Sequence, residues 1–234
     1  MKHAAYFGTR EVYGDMETAA KSLIANTDVG RVHLFIEDAE FPRDLPGIIE
    51  CHDVSDQAYF PPDGANWNTP YTYMTMMRAA LCHVLDVDKV LSLDTDTICI
   101  ADASDVWGID VDGFYLAATP ESWATPRPGL FYCNTGVSLF NLAKLRDGKA
   151  DEIIDVLNCH YFRWPEQDAI NYLCQGRIAY MPPIYNWCPW VVRGDYKHPR
   201  IVHYAAQNDW HNKEPVVKYR EMEWAEAMEL HAQH

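Results

Sequence analysis

The chain is short of positive charge. Its 19 Lys and Arg residues face 34 Asp and Glu, which leaves a formal net charge of −15 at pH 7 over 234 residues. A surface of that sign offers a nucleic-acid backbone nothing to bind and is repelled by an anionic bilayer, so neither is an expected partner. A phosphorylated ligand would need a metal ion or a few well-placed cations in its site. Long apolar runs are missing as well. No stretch approaches the ~20 residues that cross a bilayer, and the start, Met1 to Gly8, is too short and polar for a secretory signal. The seven cysteines (Cys51, Cys82, Cys99, Cys133, Cys159, Cys174, Cys188) are odd in number and contain no C-x-x-C pair. Neither a disulfide framework nor a zinc site is indicated, and several of them lie in apolar runs where a free thiol packs as a small core residue. No internal repeat and no low-complexity linker interrupts the chain. These absences predict one cytoplasmic domain over residues 1–234, without a transmembrane segment.

What is present is an alternation of strands and helices. His3 to Phe7 reads as a strand stopped by Gly8. Asp15-Met16-Glu17-Thr18 starts a helix that runs on through Ala19, Leu23 and Ile24. Arg31 to Ile36 and Ile48 to Val54 read as strands, and Tyr59 to Thr69 as a loop rich in Pro, Asn, Asp and Gly. Pro70 to Leu85 predicts a helix with Met74, Met77, Leu81 and Leu85 inward. Lys89 to Leu93 is a core strand, resumed at Thr97 to Ile100. The order gives an α/β fold with a mostly parallel, mixed central sheet flanked by helices. Further on, Tyr115 to Thr119, Tyr132 to Asn141, Ile178 to Tyr180 and Arg200 to Tyr204 read as strands, with helices at Ala150 to Cys159, Glu166 to Leu173 and Glu214 to His231. Asn141, at a strand-to-helix junction, suits a cap.

Between the two halves of the core strand stands Asp94-Thr95-Asp96. In extended chain, residues i and i+2 share a side, so the two carboxylates form a site for a hard divalent cation or a solvated turn. Open α/β sheets bind ligands beyond the carboxyl ends of their strands, where this pair sits, and that favours a metal or phosphate role.

Four further segments accompany the pair: Tyr73 to Arg78, Tyr132 to Leu142, Glu166 to Asn171 and Ile201 to Ala206. In this order, R…KVL-x-LD-x-D, N-x-G-V-x-L-x-N, EQ-x-x-x-N and HY, the chain resembles glycosyltransferase family 8, over most of its length from about Tyr6 to His203. The resemblance implies a GT-A fold, a nucleotide-sugar donor with uridine as the expected nucleoside, and a manganese ion with magnesium as the second choice. It divides the domain into a nucleotide-binding part (1–115), a sugar and acceptor part (116–212) and a C-terminal helix (213–234). It assigns Asp94, Asp96 and His203 as metal ligands, and Asn134 to the transferred sugar. Arg78, Thr95 and the first loop (Gly8, Thr9, Tyr13) fall to the donor. Gln167, flanked by Glu166 and Asp168, falls beneath the reacting sugar, where retaining transfer would be assisted.

The chain departs from the family in two loops. The first reads Gly8-Thr9-Arg10-Glu11-Val12-Tyr13, with Glu11 and Tyr13 where the family carries Asp and an aromatic residue. After His203-Tyr204, Ala206 replaces a Gly, and Asn208 to Lys213 replace the Lys-Pro-Trp whose lysine neutralises the diphosphate; Lys213 is the substitute candidate. The expected function is metal-dependent, retaining transfer of a hexose from a UDP-sugar to an unknown acceptor. A sugar-1-phosphate nucleotidyltransferase and a decayed nucleotide-sugar-binding protein are the alternatives. Acceptor contacts are expected in Tyr59 to Thr69, Glu121 to Phe131 and Tyr185 to Asp195, the last through Tyr185, Trp187 and Trp190.

Overall fold

The computed structural model describes residues 1–37, 44–121, 131–188 and 198–234. Its elements run β1 (His3–Phe7), α1 (Tyr13–Ala25), β2 (Arg31–Ile36), β3 (Ile49–Asp53), α2 (Tyr73–Met76), α3 (Leu81–Val84), β4 (Lys89–Leu93) and β5 (Thr97–Cys99). They continue with β6 (Leu116–Pro120), β7 (Cys133–Asn141), α4 (Leu142–Leu145), α5 (Lys149–Cys159), α6 (Pro165–Leu173), β8 (Ile178–Tyr180), β9 (Ile201–His203), α7 (Glu214–Glu221) and α8 (Trp224–His231).

Seven strands form one sheet in the order β3-β2-β1-β4-β7-β6-β8, and β5 pairs with β9 in a second, two-stranded sheet. β1 pairs in parallel with both β2 and β4, and β7 runs antiparallel to its neighbours β4 and β6. The chain winds outward from β1 to β3, then returns to place β4 on the other side of β1. The carboxyl ends of β1 and β4 therefore flank a switch point, where a crevice opens in such sheets.

Alternation along the strands sends side chains to two cores. Ala4, Tyr6, Leu91, Leu93, Val137 and Leu139 face a core shared with α1, α7 and α8. Ala5, Phe7, Val90 and Phe140 face the other, with Met74, Met77, Leu81, Leu142, Ile153 and Ile170. The helix predicted over Pro70 to Leu85 is broken: α2 gives way to a 3₁₀ turn over Met77–Ala80 before α3 begins. Met74, Met76, Met77, Arg78, Ala79, Ala80, Leu81 and Cys82 are all buried, so no solvated face holds the segment to one regular helix. The terminal helix is likewise two helices, parted where Met222 turns extended (ψ 134) and buries its side chain. Asn141 caps α4 as expected, its Oδ1 accepting from the Lys144 amide at 3.0 Å.

The loop over 59–69 is anchored by Asn66, which is fully buried. Its Nδ2 donates to the carbonyls of Leu157 (2.5 Å) and His160 (2.7 Å), and its Oδ1 accepts from the Phe162 amide (2.9 Å). Those groups close the C-terminal end of α5 and would otherwise be unsatisfied. The Asn158 side chain holds the same loop by one bond, Nδ2 to the Tyr59 carbonyl at 2.8 Å, beside the bond of its backbone carbonyl to the Ala65 amide. Asn66→Ala is expected to cost about 2–4 kcal/mol, since it strands buried polar groups, and Asn158→Ala about 1 kcal/mol; urea denaturation of the two variants against the parent measures the difference.

Candidate active site

Three strands bring the acidic pair and His203 together. Leu93 is the last residue of β4, and a tight turn follows: the Thr97 amide and hydroxyl both donate to the Asp94 carbonyl, at 3.3 and 2.6 Å. The turn feeds β5, which pairs antiparallel with β9 so that Thr97 lies opposite His203. β7 closes the third side, with Val137 opposite Leu93 and the Asp94 amide donating to the Gly136 carbonyl at 2.7 Å. Gly136 is glycine for want of room. A Cβ there would stand 2.1 Å from His203 Cε1 and 2.7 Å from Asp94 Oδ2.

His203 Nε2 lies 3.5 Å from Asp94 Oδ2 and 3.3 Å from Asp96 Oδ1. One donor atom from each of the three residues falls within 4.8 Å of the others. Burial alone would lower the imidazole's pKa, but the Asp96 carboxylate outweighs it and raises the ring well above the ordinary histidine value.

The tautomer of His203 is set from a distance. The Glu121 carboxylate is acceptor-only, so Asn134 must turn its Nδ2 toward Glu121 Oε2 (2.8 Å). That leaves Asn134 Oδ1 to accept from the Gly136 amide and from Asn186 Nδ2, both at 2.9 Å. Asn186 Oδ1 is then free to accept from His203 Nδ1, also at 2.9 Å. With one proton held on Nδ1, Nε2 is the nitrogen turned to the two aspartates, and a metal ion there would take the place of the second proton that the carboxylates favour. Ligating histidines are oriented in this way by an acceptor on the other ring nitrogen. The donor set, two carboxylate oxygens and an imidazole nitrogen, suits a divalent ion with affinity for both atom types.

Arg78 lies beneath, its side chain 3% exposed. One amino group contacts Asp94 Oδ1, and the other donates to Glu166 Oε1 (3.1 Å) and to the Thr135 carbonyl (2.7 Å). Burial disfavours its charge, but Glu166 and Asp94 more than offset this and raise its pKa. Burial pushes the Glu166 carboxyl up, against the pull of Arg78. Asp94 thus spends one oxygen on Arg78 and turns the other to His203.

A cavity of about 390 Å³ opens over these groups, lined by Asp94, Asp96, Glu121, Asn134, Gln167, His203 and the aromatic faces of Tyr71 and Trp164. Cys188, Ala205 and Ala206 complete its wall, and Ala206 has a positive φ of 59°. A smaller recess of about 90 Å³ reaches Thr135 and Glu166.

Residues 49–214 match the profile of glycosyl transferase family 8. The chain belongs to that family. Among curated family-8 relatives and neighbours, it is 26% identical to the glycosyltransferase GlyE of Streptococcus pneumoniae over 95% of the chain and 60% of GlyE. It is 27% identical to the lipopolysaccharide 1,2-glucosyltransferase of Escherichia coli over 58% of the chain and 48% of that protein. It therefore spans 60% or less of the length of these two relatives. The crystal structure of GlyE superposes with a TM-score of 0.77 at 21% identity, covering 97% of the chain and 62% of GlyE. That of the galactosyltransferase LgtC, in complex with donor and acceptor sugar analogues, gives 0.72 at 20%, covering 93% and 95%. The fold is the GT-A fold of family 8.

The remaining residues singled out from the family-8 motifs distribute as follows. Gln167 lines the cavity with Oε1 accepting from the Thr135 amide (3.1 Å) and Nε2 donating to the Tyr132 hydroxyl (3.2 Å). Asp168 does not line it: one oxygen accepts from Tyr132 (2.6 Å) and the other from the Trp164 amide (3.0 Å) at the start of α6. Arg78 supports Asp94 from below rather than lining the cavity. Thr95 sits in the turn. Gly8, Thr9 and Tyr13 gather at the end of β1, where the Glu37 amide donates to the Tyr13 hydroxyl (3.0 Å), apart from the cavity lining. Lys213 pairs with Asp209 at 3.0 Å and also lies off the cavity. Of the expected acceptor segments, 122–130 and 189–195 lie outside the described residues, Trp190 among them. Tyr185 is buried and donates to Asp105 (2.6 Å). Glu121, Asn186, Tyr71 and Trp164 were not anticipated as site residues. Glu121 and Asn186 carried a signal, each lying in an expected acceptor segment.

Glu121→Gln lets the chain of amides invert, and is expected to weaken divalent-ion affinity about 10–100-fold with the fold intact. Titration calorimetry with Mn²⁺ reads the first effect and circular dichroism the second. Gly136→Ala should displace His203 and cost at least about tenfold in the same titration.

Proposed function

We propose that the chain transfers a hexose from a UDP-sugar to an acceptor, with retention of anomeric configuration and with a divalent ion, manganese by preference, held by Asp94, Asp96 and His203. The observation that carries this reading is the charge of the cavity. Three carboxylates line it, and among the described lining residues there is no lysine or arginine. A diphosphate would be repelled from such a wall without a divalent cation. The orientation of His203 and the space kept by Gly136 fit such an ion, and imidazole in the donor set favours manganese over magnesium. When bound, the ion would neutralise the charge that develops on the departing nucleoside diphosphate.

The chain's own residues do the rest. Arg78 fixes Asp94 in the rotamer that turns Oδ2 outward. Glu121, through Asn134 and Asn186, keeps the proton of His203 on Nδ1. Tyr71 and Trp164 wall the cavity with apolar faces that exclude water and suit stacking on a sugar ring. Gln167 and Asn134 line the cavity, and their amides, held by the surrounding hydrogen bonds, would stabilise positive charge at an anomeric carbon seated over them. Retention is the outcome that the family resemblance implies.

Titration calorimetry with UDP, with and without Mn²⁺, tests the donor, and the anomeric proton coupling of the released or transferred sugar tests the stereochemistry. UDP is expected to bind only with Mn²⁺ present, and Asp96→Asn should lose turnover by at least about 10³-fold, as removal of a principal electrostatic group does. Equal UDP affinity in EDTA would overturn the metal reading. Nucleotide binding with neither hydrolysis nor transfer would mark a decayed binding protein. Pyrophosphate release from UTP and a sugar phosphate would mark a nucleotidyltransferase.

A further inference from the structure

The strands farthest from the cavity carry a second group of ligating side chains. β2 and β3 pair in parallel with His33 opposite Glu50 and Phe35 opposite His52. Alternation puts His33, Glu50 and His52 on one face. His33 Nδ1 lies 2.9 Å from His52 Nε2 and 3.9 Å from Glu50 Oε2, and His52 Nε2 lies 3.8 Å from Glu50 Oε1. Around a tetrahedral ion with bonds of about 2.0–2.1 Å, donor atoms stand roughly 3.3 Å apart, between these separations.

Each imidazole is already oriented. His33 Nε2 lies 3.0 Å from His3 Nδ1, and the two rings stack with centroids 5.3 Å apart. With its proton on Nε2 toward His3, His33 accepts at Nδ1 from His52 Nε2–H, and an ion would take the place of that proton. His52 stacks on Phe35 at 4.8 Å, and Phe35 on Phe7 at 4.6 Å. Burial, with the neighbouring His52, His3 and Arg31, holds His33 down at about 3, and burial also lowers His52, so both rings are neutral near pH 7. Neutral imidazole is the form that ligates. The Glu50 side chain is 52% exposed, which leaves a way in for an ion and a position for water.

We propose that His33, Glu50 and His52 form a site for one transition-metal ion, of which Zn²⁺ is the best fit, with His3 as the residue that orients His33. The ion would tie the edge strand β3 to β2. Two nitrogens and one oxygen select zinc, cobalt or nickel over magnesium and manganese. This site thus differs in preference from the carboxylate-rich cluster at Asp94, Asp96 and His203.

Calorimetry of the metal-stripped full chain with Zn²⁺ tests the site, with Asp96→Asn used to disable the cavity cluster. Asp96→Asn is expected to retain one equivalent of Zn²⁺ and to take up no Mn²⁺. Its Co²⁺ form should show the visible absorption of a tetrahedral centre. Adding His52→Gln should abolish both the Zn²⁺ equivalent and the Co²⁺ bands. His52→Gln alone should match the parent in metal-free thermal midpoint and in transferase turnover, which separates a lost ligand from a lost fold. His3→Gln should bind Zn²⁺ about 10–100-fold more weakly. Absence of Zn²⁺ binding by Asp96→Asn, or an equivalent that survives His52→Gln and Glu50→Gln, would overturn the site and leave a chain of hydrogen-bonded imidazoles.

Discussion

The site is built around one buried cation. Arg78 joins four pieces of chain: its own 3₁₀ turn, Asp94 at the end of β4, the Thr135 carbonyl of β7 and Glu166 in the first turn of α6. None of the three acceptors could be removed cheaply. Breaking a buried ion pair from one side costs about 3–5 kcal/mol, because the surviving charge is left without a partner. The same arrangement sets one positive charge between Asp94 and Glu166. A surplus of negative charge this dense, in a chain of net charge −15, needs a fixed positive centre inside it. Arg78 supplies that centre without entering the cavity, so the cavity itself is left anionic.

Around this centre the side chains are oriented by who may donate and who may accept. A carboxylate at Glu121 fixes two amides in turn, and the second fixes an imidazole. Geometry at the aspartates is therefore decided three residues away, by a group that never touches them. Distance relations of this kind also explain why the cavity tolerates a poor supply of cations. Its shape and polarity are set by hydrogen bonds that do not depend on what it binds.

Much of the fold was legible because strand boundaries coincide with changes in side-chain type. Lys89 to Leu93 and Thr97 to Ile100 are apolar runs broken by two aspartates, and β4 and β5 follow them closely. His203 was legible only through the family motif; nothing local marks it off from any strand-end histidine. The break in the helix over Pro70 to Leu85 was hidden because Met76 to Cys82 are buried on every side, and a fully buried stretch has no periodicity to lose. The bond between Asn134 and Asn186 was hidden for another reason. The two lie 52 residues apart, and Asn186 is brought in by the bridge of Trp187 to β9, which in turn pairs with β5. Asp168 shows the reverse failure, an acid in a motif position whose oxygens are both spent on starting a helix.

The turn after β9 deserves its consequence. The Gln207 amide donates to the Tyr204 carbonyl at 3.0 Å, closing a four-residue turn whose third residue, Ala206, sits at φ 59°. Glycine holds such a position freely, whereas alanine there costs about 1–2 kcal/mol. This wall of the cavity is thus less relaxed than it could be, and any rearrangement that returns residue 206 to negative φ begins downhill. The wall is not separable from the ligand it adjoins. Tyr204, which starts the turn, donates its amide to the Asp96 carbonyl at 2.9 Å and follows His203 directly. A shift of the wall would pull on Asp96 and His203 at once, because all three share one piece of hydrogen-bonded backbone.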